Sequence, residues 1–260
     1  MRVKRMGRLS LGIIMLFLVA ASAVAQDEPV LSADITLDGN SLYVWRGQLL
    51  TNDPVFQPGL SIGAYGFTGS IWANLEMTDI NGVSGEFSEI DYALDYSGSV
   101  PGFETLGYSA GVIQYVFPTL EGDSVSTTEI YFGAGLDVPL SPSFTYYRDV
   151  NNVDGGYFSI GIGHSLEREL GASSTVGLDL SASFGYGDCD YNTAYSGVET
   201  GAWNDFTVGI AVPFGFKGGV SLTPSLNIST MLDDAIGAAW EDATGERTNV
   251  WFGVSLAKSF

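Results

Sequence analysis

The chain has 260 residues, of which 10 are basic and 30 acidic, so that its formal net charge is −20. So few cations cannot neutralise a phosphate backbone, which excludes nucleic acid as a partner and favours cations or cationic solutes. The 34 glycines, 13 tyrosines and 15 phenylalanines, with only 15% charged residues, favour an all-β chain over a helical one.

The N-terminal residues 1–25 have the pattern of a cleaved signal peptide. A basic segment precedes an apolar run at residues 11–20, and Ala23-Val24-Ala25 fits the small-x-small cleavage rule. The run is shorter than the roughly 20 residues that a membrane-spanning helix needs. Its removal would take away four basic residues and no acidic one, leaving 6 against 30, or −24, in residues 26–260. The basic residues of this leader are Arg2, Lys4, Arg5 and Arg8.

Residues 26–260 are expected to form one domain made of strands, because apolar and polar residues alternate along most of it. At the C-terminal end, Val250, Phe252 and Val254 alternate with small or polar residues, and Trp251 is the exception on the polar face. Such a period of two is typical of a strand with one apolar and one polar side. No segment has a convincing amphipathic-helix pattern. The predicted strands are 31–47, 54–64, 67–77, 87–97, 105–117, 125–137, 140–149, 155–166, 172–186, 203–213, 218–230 and 247–260.

The connections between these strands differ systematically in length. Short ones follow even-numbered strands, near residues 65–66, 138–139 and 215–217, whereas long ones follow odd-numbered strands, at 79–86, 187–202 and 232–246. Outer-membrane barrels have an even number of strands, short periplasmic turns and longer external loops. The sorting favours an antiparallel up-and-down barrel with about twelve strands.

Alternation alone does not separate a transmembrane barrel from a soluble, exported β-sandwich, because both bury one face of each strand. The small and acidic opposite face suits a water-filled lumen, and the aromatic residues near strand ends suit interfacial girdles. We therefore predict a barrel in the outer membrane of a Gram-negative type of cell, in contact with lipid. The terminal strand, which ends on Phe260, is expected to engage the barrel-assembly machinery. The predicted girdle includes Tyr43, Trp45, Phe67, Tyr96, Tyr146 and Tyr186.

The alternation also predicts which side chains line the pore. Acidic side chains around a lumen favour cations and repel anions, so the sequence predicts a porin-like channel for small cationic or neutral solutes. Arg46 is the predicted opposing cation. The predicted pore-lining residues are Asp34, Asp38, Arg46, Glu76, Glu89, Asp91, Asp95, Glu129, Asp137, Asp179 and Asp205.

Several segments resemble the TorF-like porin family. The opening Tyr43-Val44-Trp45-Arg46-Gly47 is similar to that family's Tyr-x-aromatic-Arg-Gly motif, and residues 88–92, 143–149 and 155–158 add weaker likenesses. The resemblance extends over most of residues 31–260. It implies an outer-membrane barrel and, more loosely, a role in transport.

Little in the sequence points to catalysis. The one histidine, His164, alternates with Ile160 and Ile162 on the predicted outward face, so it is expected to be a girdle residue. Glu89 and Asp91 share a face, but in so acidic a chain they are more simply lumen lining than a glycosidase pair. No catalytic residue, metal site or cofactor is predicted.

Two further alternatives remain open from the sequence. The barrel could be non-conducting and act as a structural or surface-binding protein through its acidic loops. There Asp233, Asp234, Glu241 and Asp242 offer oxygen ligands to a divalent cation. Cys189 lies in the other long loop and is expected to be an incidental thiol.

Overall fold

The computed structural model describes residues 31–120, 126–171 and 173–260. The predicted signal peptide lies outside the described residues. In order along the chain, the elements are β1 Ser32–Asn40, β2 Tyr43–Trp45, β3 Gln48–Thr51, β4 Val55–Ala64, β5 Phe67–Glu76, β6 Phe87–Val100, β7 Phe103–Val116, β8 Ser126–Leu136, β9 Ser143–Asp149, β10 Gly156–Glu169, β11 Ser174–Gly187, α1 Cys189–Ser196, β12 Ala202–Ala211, β13 Phe214–Phe216, β14 Val220–Met231, α2 Asp234–Thr244 and β15 Thr248–Ser259.

The described residues form a closed, antiparallel barrel of twelve strands, which confirms the predicted fold class. Each barrel strand pairs with the next barrel strand along the chain, with β1 next to β4, and β1 also pairs with β15 to close the sheet. β12 and β13 together make one barrel strand, because both pair with β11 and β14 in a continuous register. The break between them falls at Pro213, which has no N–H to donate.

The two ends of the barrel differ as predicted. The connections at one end are short, with two residues each between β4 and β5 and between β6 and β7. We call this the turn end, and it also holds the start of β1 and the end of β15. The opposite loop end carries the long connections, including 41–54, 188–201 and 232–247. An up-and-down barrel with both termini at the turn end has this distribution of loop lengths.

Alternation assigns the two faces of the wall. The outward side chains are apolar and exposed, for example Leu94 at 52% and Phe252 at 64%, whereas inward Glu129 is 2% exposed. Ile210 and Leu222, which a two-sheet sandwich would bury between its sheets, are also exposed on the outside. The sandwich alternative is therefore wrong, and the apolar outer surface is the one that a transmembrane barrel presents to lipid.

We expect an outward charge to destabilise the barrel far more than an inward one. Leu94→Arg, near the middle of β6, should lower the free energy of unfolding in lipid bilayers by about 2–4 kcal/mol. Ser97→Arg, on the same strand but facing the cavity described below, is the matched control and should have a much smaller effect. Urea titration of the two refolded variants in vesicles measures both values, and equal losses would contradict the assignment of faces.

Two details differ from the predictions. The first predicted strand, 31–47, ends at Asn40, and residues 43–51 instead form the separate hairpin β2–β3. Two helices that the alternation did not predict, α1 and α2, lie in the long loops. Each begins at an aspartate cap, Asp188 or Asp233, and ends at a glycine with positive φ. No helix of the described ranges is long and apolar enough to cross a membrane.

Candidate functional site

The β2–β3 hairpin, residues 43–51, starts at the loop end and folds into the barrel. β1 and β4 pair directly up to Asn40 and Val55, so the hairpin is an insertion between two adjacent wall strands. Its side chains Tyr43, Gln48, Leu49 and Thr51 are buried. Because the barrel encloses these residues, they belong to the lumen and not to the external surface.

The hairpin touches the wall on nearly all sides. The Tyr43 ring lies 5.7 Å from that of Trp72 on β5, and its hydroxyl donates to Glu89 on β6 at 2.8 Å. Trp45 packs edge-on against Tyr115 of β7 at 6.2 Å. On the opposite side, Asn249 of β15 donates to the Gly47 carbonyl at 3.4 Å. The hairpin therefore spans the lumen from wall to wall.

Arg46 lies at the tip of the hairpin in an unusual conformation. Arg46 and Gly47 are the two loop residues, and both have positive φ, 48° and 79°, as a type I′ turn requires. Glycine suits such a position, but a non-glycine residue with positive φ is uncommon. Conformations of this kind persist where the surroundings hold them in place. Here the Arg46 side chain supplies the restraint.

The Arg46 guanidinium binds one wall carboxylate in a bidentate pair. Its Nη1 and Nη2 donate to Glu129 Oε1 and Oε2, each at 2.8 Å, and the two side chains are only 9% and 3% exposed. The Tyr115 hydroxyl donates to Oε2 of the same carboxylate at 2.8 Å. Paired, planar contacts of this kind are among the strongest hydrogen bonds in proteins.

Aromatic rings enclose the same guanidinium. Its carbon lies 4.3 Å from the centre of the Trp45 ring, 4.4 Å from those of Tyr147 and Tyr157, and 5.8 Å from that of Tyr191. Distances under about 6 Å are those of cation–π attraction. We call Glu129, Tyr115, Tyr147, Tyr157 and Tyr191 the cation box.

The two loop helices cover the hairpin at the loop end. Gln48 donates to the Tyr191 hydroxyl of α1 at 2.8 Å, and Trp240 of α2 donates to Ser196 of α1 at 3.1 Å. α2 also packs against β3. Burial raises the pKa of the Tyr191 phenol well above its ordinary value, although the Arg46 cation lowers it, so this ring stays protonated. The helices and the hairpin together close the loop end of the lumen.

A cavity of about 1020 Å³ occupies the rest of the lumen. Trp45, Arg46, Tyr147 and Tyr157 line it where it meets the hairpin, and it extends to Ser97, Glu167, Ser174 and Ser259 near the turn end. The lumen is thus a deep vestibule on the turn side of the hairpin.

The structure places the predicted pore-lining residues in three groups. Asp34, Arg46, Asp91, Asp95 and Asp205 line the cavity. Asp38, Glu76, Glu89 and Glu129 are buried on the inner wall, and Asp179 is half-buried on that wall. Asp137 is exposed in the connection after β8, so its assignment to the pore does not match its position. Arg46 reaches the lumen from the hairpin and not from a barrel strand.

The residues predicted to form an interfacial girdle divide between the lumen and the outer surface. Tyr43 and Trp45, expected in an interfacial girdle, lie in the lumen, whereas Phe67 and Tyr96 are exposed with ring centres 4.8 Å apart. Among residues that sequence reasoning missed, the cavity-lining Glu167 and the tyrosines of the cation box stand out. The alternation in the sequence does indicate an inward position for Tyr131, Tyr147 and Tyr157, because each lies on the inward face of an alternating strand.

Three candidate chemical groups lie outside the cavity. His164 is exposed on the outward face of β10, and Cys189 is an exposed free thiol at the start of α1. Asp233 caps α2 and Asp234 pairs with Arg247 at 3.0 Å. Within 31–120, 126–171 and 173–260, no group of three or more His, Cys, Asp or Glu residues is arranged to hold a metal ion. The loop acids therefore offer no formed cation site in these ranges.

The fold and the site together define a transmembrane β-barrel with a hairpin across its lumen. No protein-family model matches the chain, and no curated protein matches it. Among solved structures, it is similar to an outer membrane channel from Pseudomonas putida F1, with 9% identity, 91% of this chain and 97% of that chain covered, and a TM-score of 0.45.

Two other solved structures show a likeness of the same order. For the NanC porin the identity is 8%, the coverage 86% of this chain and 98% of that chain, and the TM-score 0.45. For Salmonella typhi OmpF the identity is 9%, the coverage 89% and 97%, and the TM-score 0.41. With TM-scores below 0.5, these likenesses carry no conclusion about activity.

Proposed function

We propose that this protein is an outer-membrane, porin-like channel for the passive diffusion of small cationic or neutral solutes, and that the hairpin closes it in the conformation described. The observation that carries the proposal is the 1020 Å³ cavity inside a closed barrel, which is lined by polar and acidic side chains and ends at a two-strand hairpin.

The charge of the lumen supports a preference for cations. Asp34, Asp91, Asp95, Glu167 and Asp205 line the cavity, and Arg46 is the one basic residue in its described lining. Arg46 is already paired with Glu129. The more exposed of the remaining carboxylates, Asp34 and Glu167, therefore favour cations and repel anions.

The proposal places the turn end in the periplasm and the loop end outside the cell, as in other outer-membrane barrels. Lipid would contact the apolar outer face. The strand that ends on Phe260 would engage the barrel-assembly machinery, and Phe260 already extends the pairing with β1 through a hydrogen bond to the Ala33 carbonyl at 2.9 Å. Membership of the TorF-like porins is part of the same proposal.

Ion selectivity tests the proposal directly. In planar bilayers with a potassium chloride gradient, we expect the reversal potential of the purified protein to shift towards the potassium equilibrium potential. Asp34→Asn/Asp95→Asn should reduce that shift, because both carboxylates line the cavity. Asp137→Asn, which removes an exposed acid outside the strands, is the matched control. Anion preference, or an equal shift in all three proteins, would contradict a cation-selective lumen.

The second candidate is a non-conducting barrel with a structural or surface-binding role. The observation that favours it is the burial of the hairpin and of Ile236 in α2, which is fully buried among the elements that close the loop end. Absence of conductance from both the wild-type protein and the hairpin-replacement variant described in the Discussion would favour this candidate over the channel.

A further inference from the structure

The aromatic and acidic groups around Arg46 have the composition of a binding site. We propose that the cation box binds guanidinium groups of incoming solutes, and that Arg46 is its built-in occupant. This inference rests on the proposed channel function, because it names the solute class that the lumen would select. The geometry of Arg46 in the site provides the evidence for the ligand class.

The box belongs to the barrel and α1, not to the hairpin. Glu129 and Tyr115 lie on β8 and β7, Tyr147 and Tyr157 on β9 and β10, and Tyr191 on α1. Among the described rings around the guanidinium, Trp45 alone would leave with the hairpin. A displaced hairpin would therefore leave a carboxylate surrounded by aromatic rings.

The arrangement matches a planar guanidinium better than an ammonium. Both Glu129 oxygens accept at 2.8 Å from two different nitrogens, a pairing that requires a flat, forked donor. The Tyr147 and Tyr157 rings lie at the same 4.4 Å from the guanidinium carbon. A neutral isostere has no charge for the rings or the carboxylate to attract.

Solutes can approach the box through the vestibule. Tyr115, Tyr147 and Tyr157 line the cavity as well as the box, so the box opens towards the turn end. Asp34 and Glu167 line the same cavity nearer the turn end and place acidic side chains along this route. The path therefore attracts the ligand class that the box recognises.

Removal of the Arg46 side chain tests the assignment. In folded Arg46→Ala, we expect isothermal titration calorimetry to show saturable binding of methylguanidinium and no binding of methylurea. Wild-type protein should bind methylguanidinium far more weakly than Arg46→Ala, because the ligand must first displace Arg46 from the box, and it should not bind methylurea. Arg46→Ala/Glu129→Gln is the matched control, and its affinity for methylguanidinium should fall by about tenfold or more.

Heat-modifiable mobility on gels reports whether each variant has folded. If Arg46→Ala does not fold, the variant with residues 41–54 replaced by a two-residue turn offers the same vacant box. Equal binding of methylurea, affinity unchanged by Glu129→Gln, or no binding by a folded variant would overturn the inference. Binding in detergent does not depend on conductance, so a barrel that binds methylguanidinium but never conducts would refute the channel and not the box.

Discussion

Replacement of residues 41–54 by Asn-Gly is expected to raise the single-channel conductance several-fold. The hairpin β2–β3 crosses the lumen, and its removal would widen the passage from the vestibule to the loop end, where helices α1 and α2 remain. The design follows from the register, because Asn40 and Val55 are direct partners across β1 and β4. A two-residue Asn-Gly turn is the preferred connection for such a strand pair.

The same replacement should also increase cation selectivity. It removes Arg46 and leaves Glu129 without its ion-pair partner, so the lumen becomes more negative. Deletion of residues 82–84 is the matched control, because it shortens an exposed loop at the same end of the barrel and keeps the hydrogen bonds of Thr78 and Asn81 to segment 41–54. Single-channel recording in planar bilayers compares the two variants. If they conduct equally, the hairpin is not the element that closes the lumen.

Glu129→Gln should produce the second largest effect, a shift of the hairpin from the closed towards the open state. The substitution leaves the buried Arg46 guanidinium without a counter-charge, and breaking a buried ion pair from one side costs about 3–5 kcal/mol. A loss at the lower end of that range changes the ratio of closed to open states roughly a hundredfold. The fraction of time that single channels spend open measures this ratio.

Two controls separate the ion pair from a general change in lumen charge. Asp34→Asn removes a cavity carboxylate on β1 near the turn end and should leave the open fraction close to that of wild type. Arg46→Gln/Glu129→Gln removes both charges, so it should open less than Glu129→Gln alone. An open fraction that is the same in Glu129→Gln and Asp34→Asn would show that the pair does not hold the hairpin.

The barrel could be predicted from the sequence because its signal is local and repeated. Leu94 and Asp95 lie on opposite faces because successive side chains of any strand point to opposite sides. The lengths of the loops add independent evidence for the topology. The inward position of Asp91, Glu129 and Asp205 followed from this period alone.

The hairpin could not be predicted in this way. Tyr43, Trp45 and Gly47 alternate as wall residues would, so residues 31–47 resembled one long strand. The contacts that show that the segment has left the wall, such as that of Arg46 with Glu129, join residues that lie far apart in sequence. Helices α1 and α2 are short, and helices of such length depend on packing more than on intrinsic propensity.

The distant partners of the hairpin impose an order on assembly. Arg46 and Glu129 are 83 residues apart, and Gly47 and Asn249 are 202 apart. The Glu129 carboxylate and the Asn249 amide are in place only after the strands that carry them have joined the sheet. Contacts between residues so remote in sequence form late. We therefore expect the barrel to close first and the hairpin to enter its lumen afterwards, as a late step of folding.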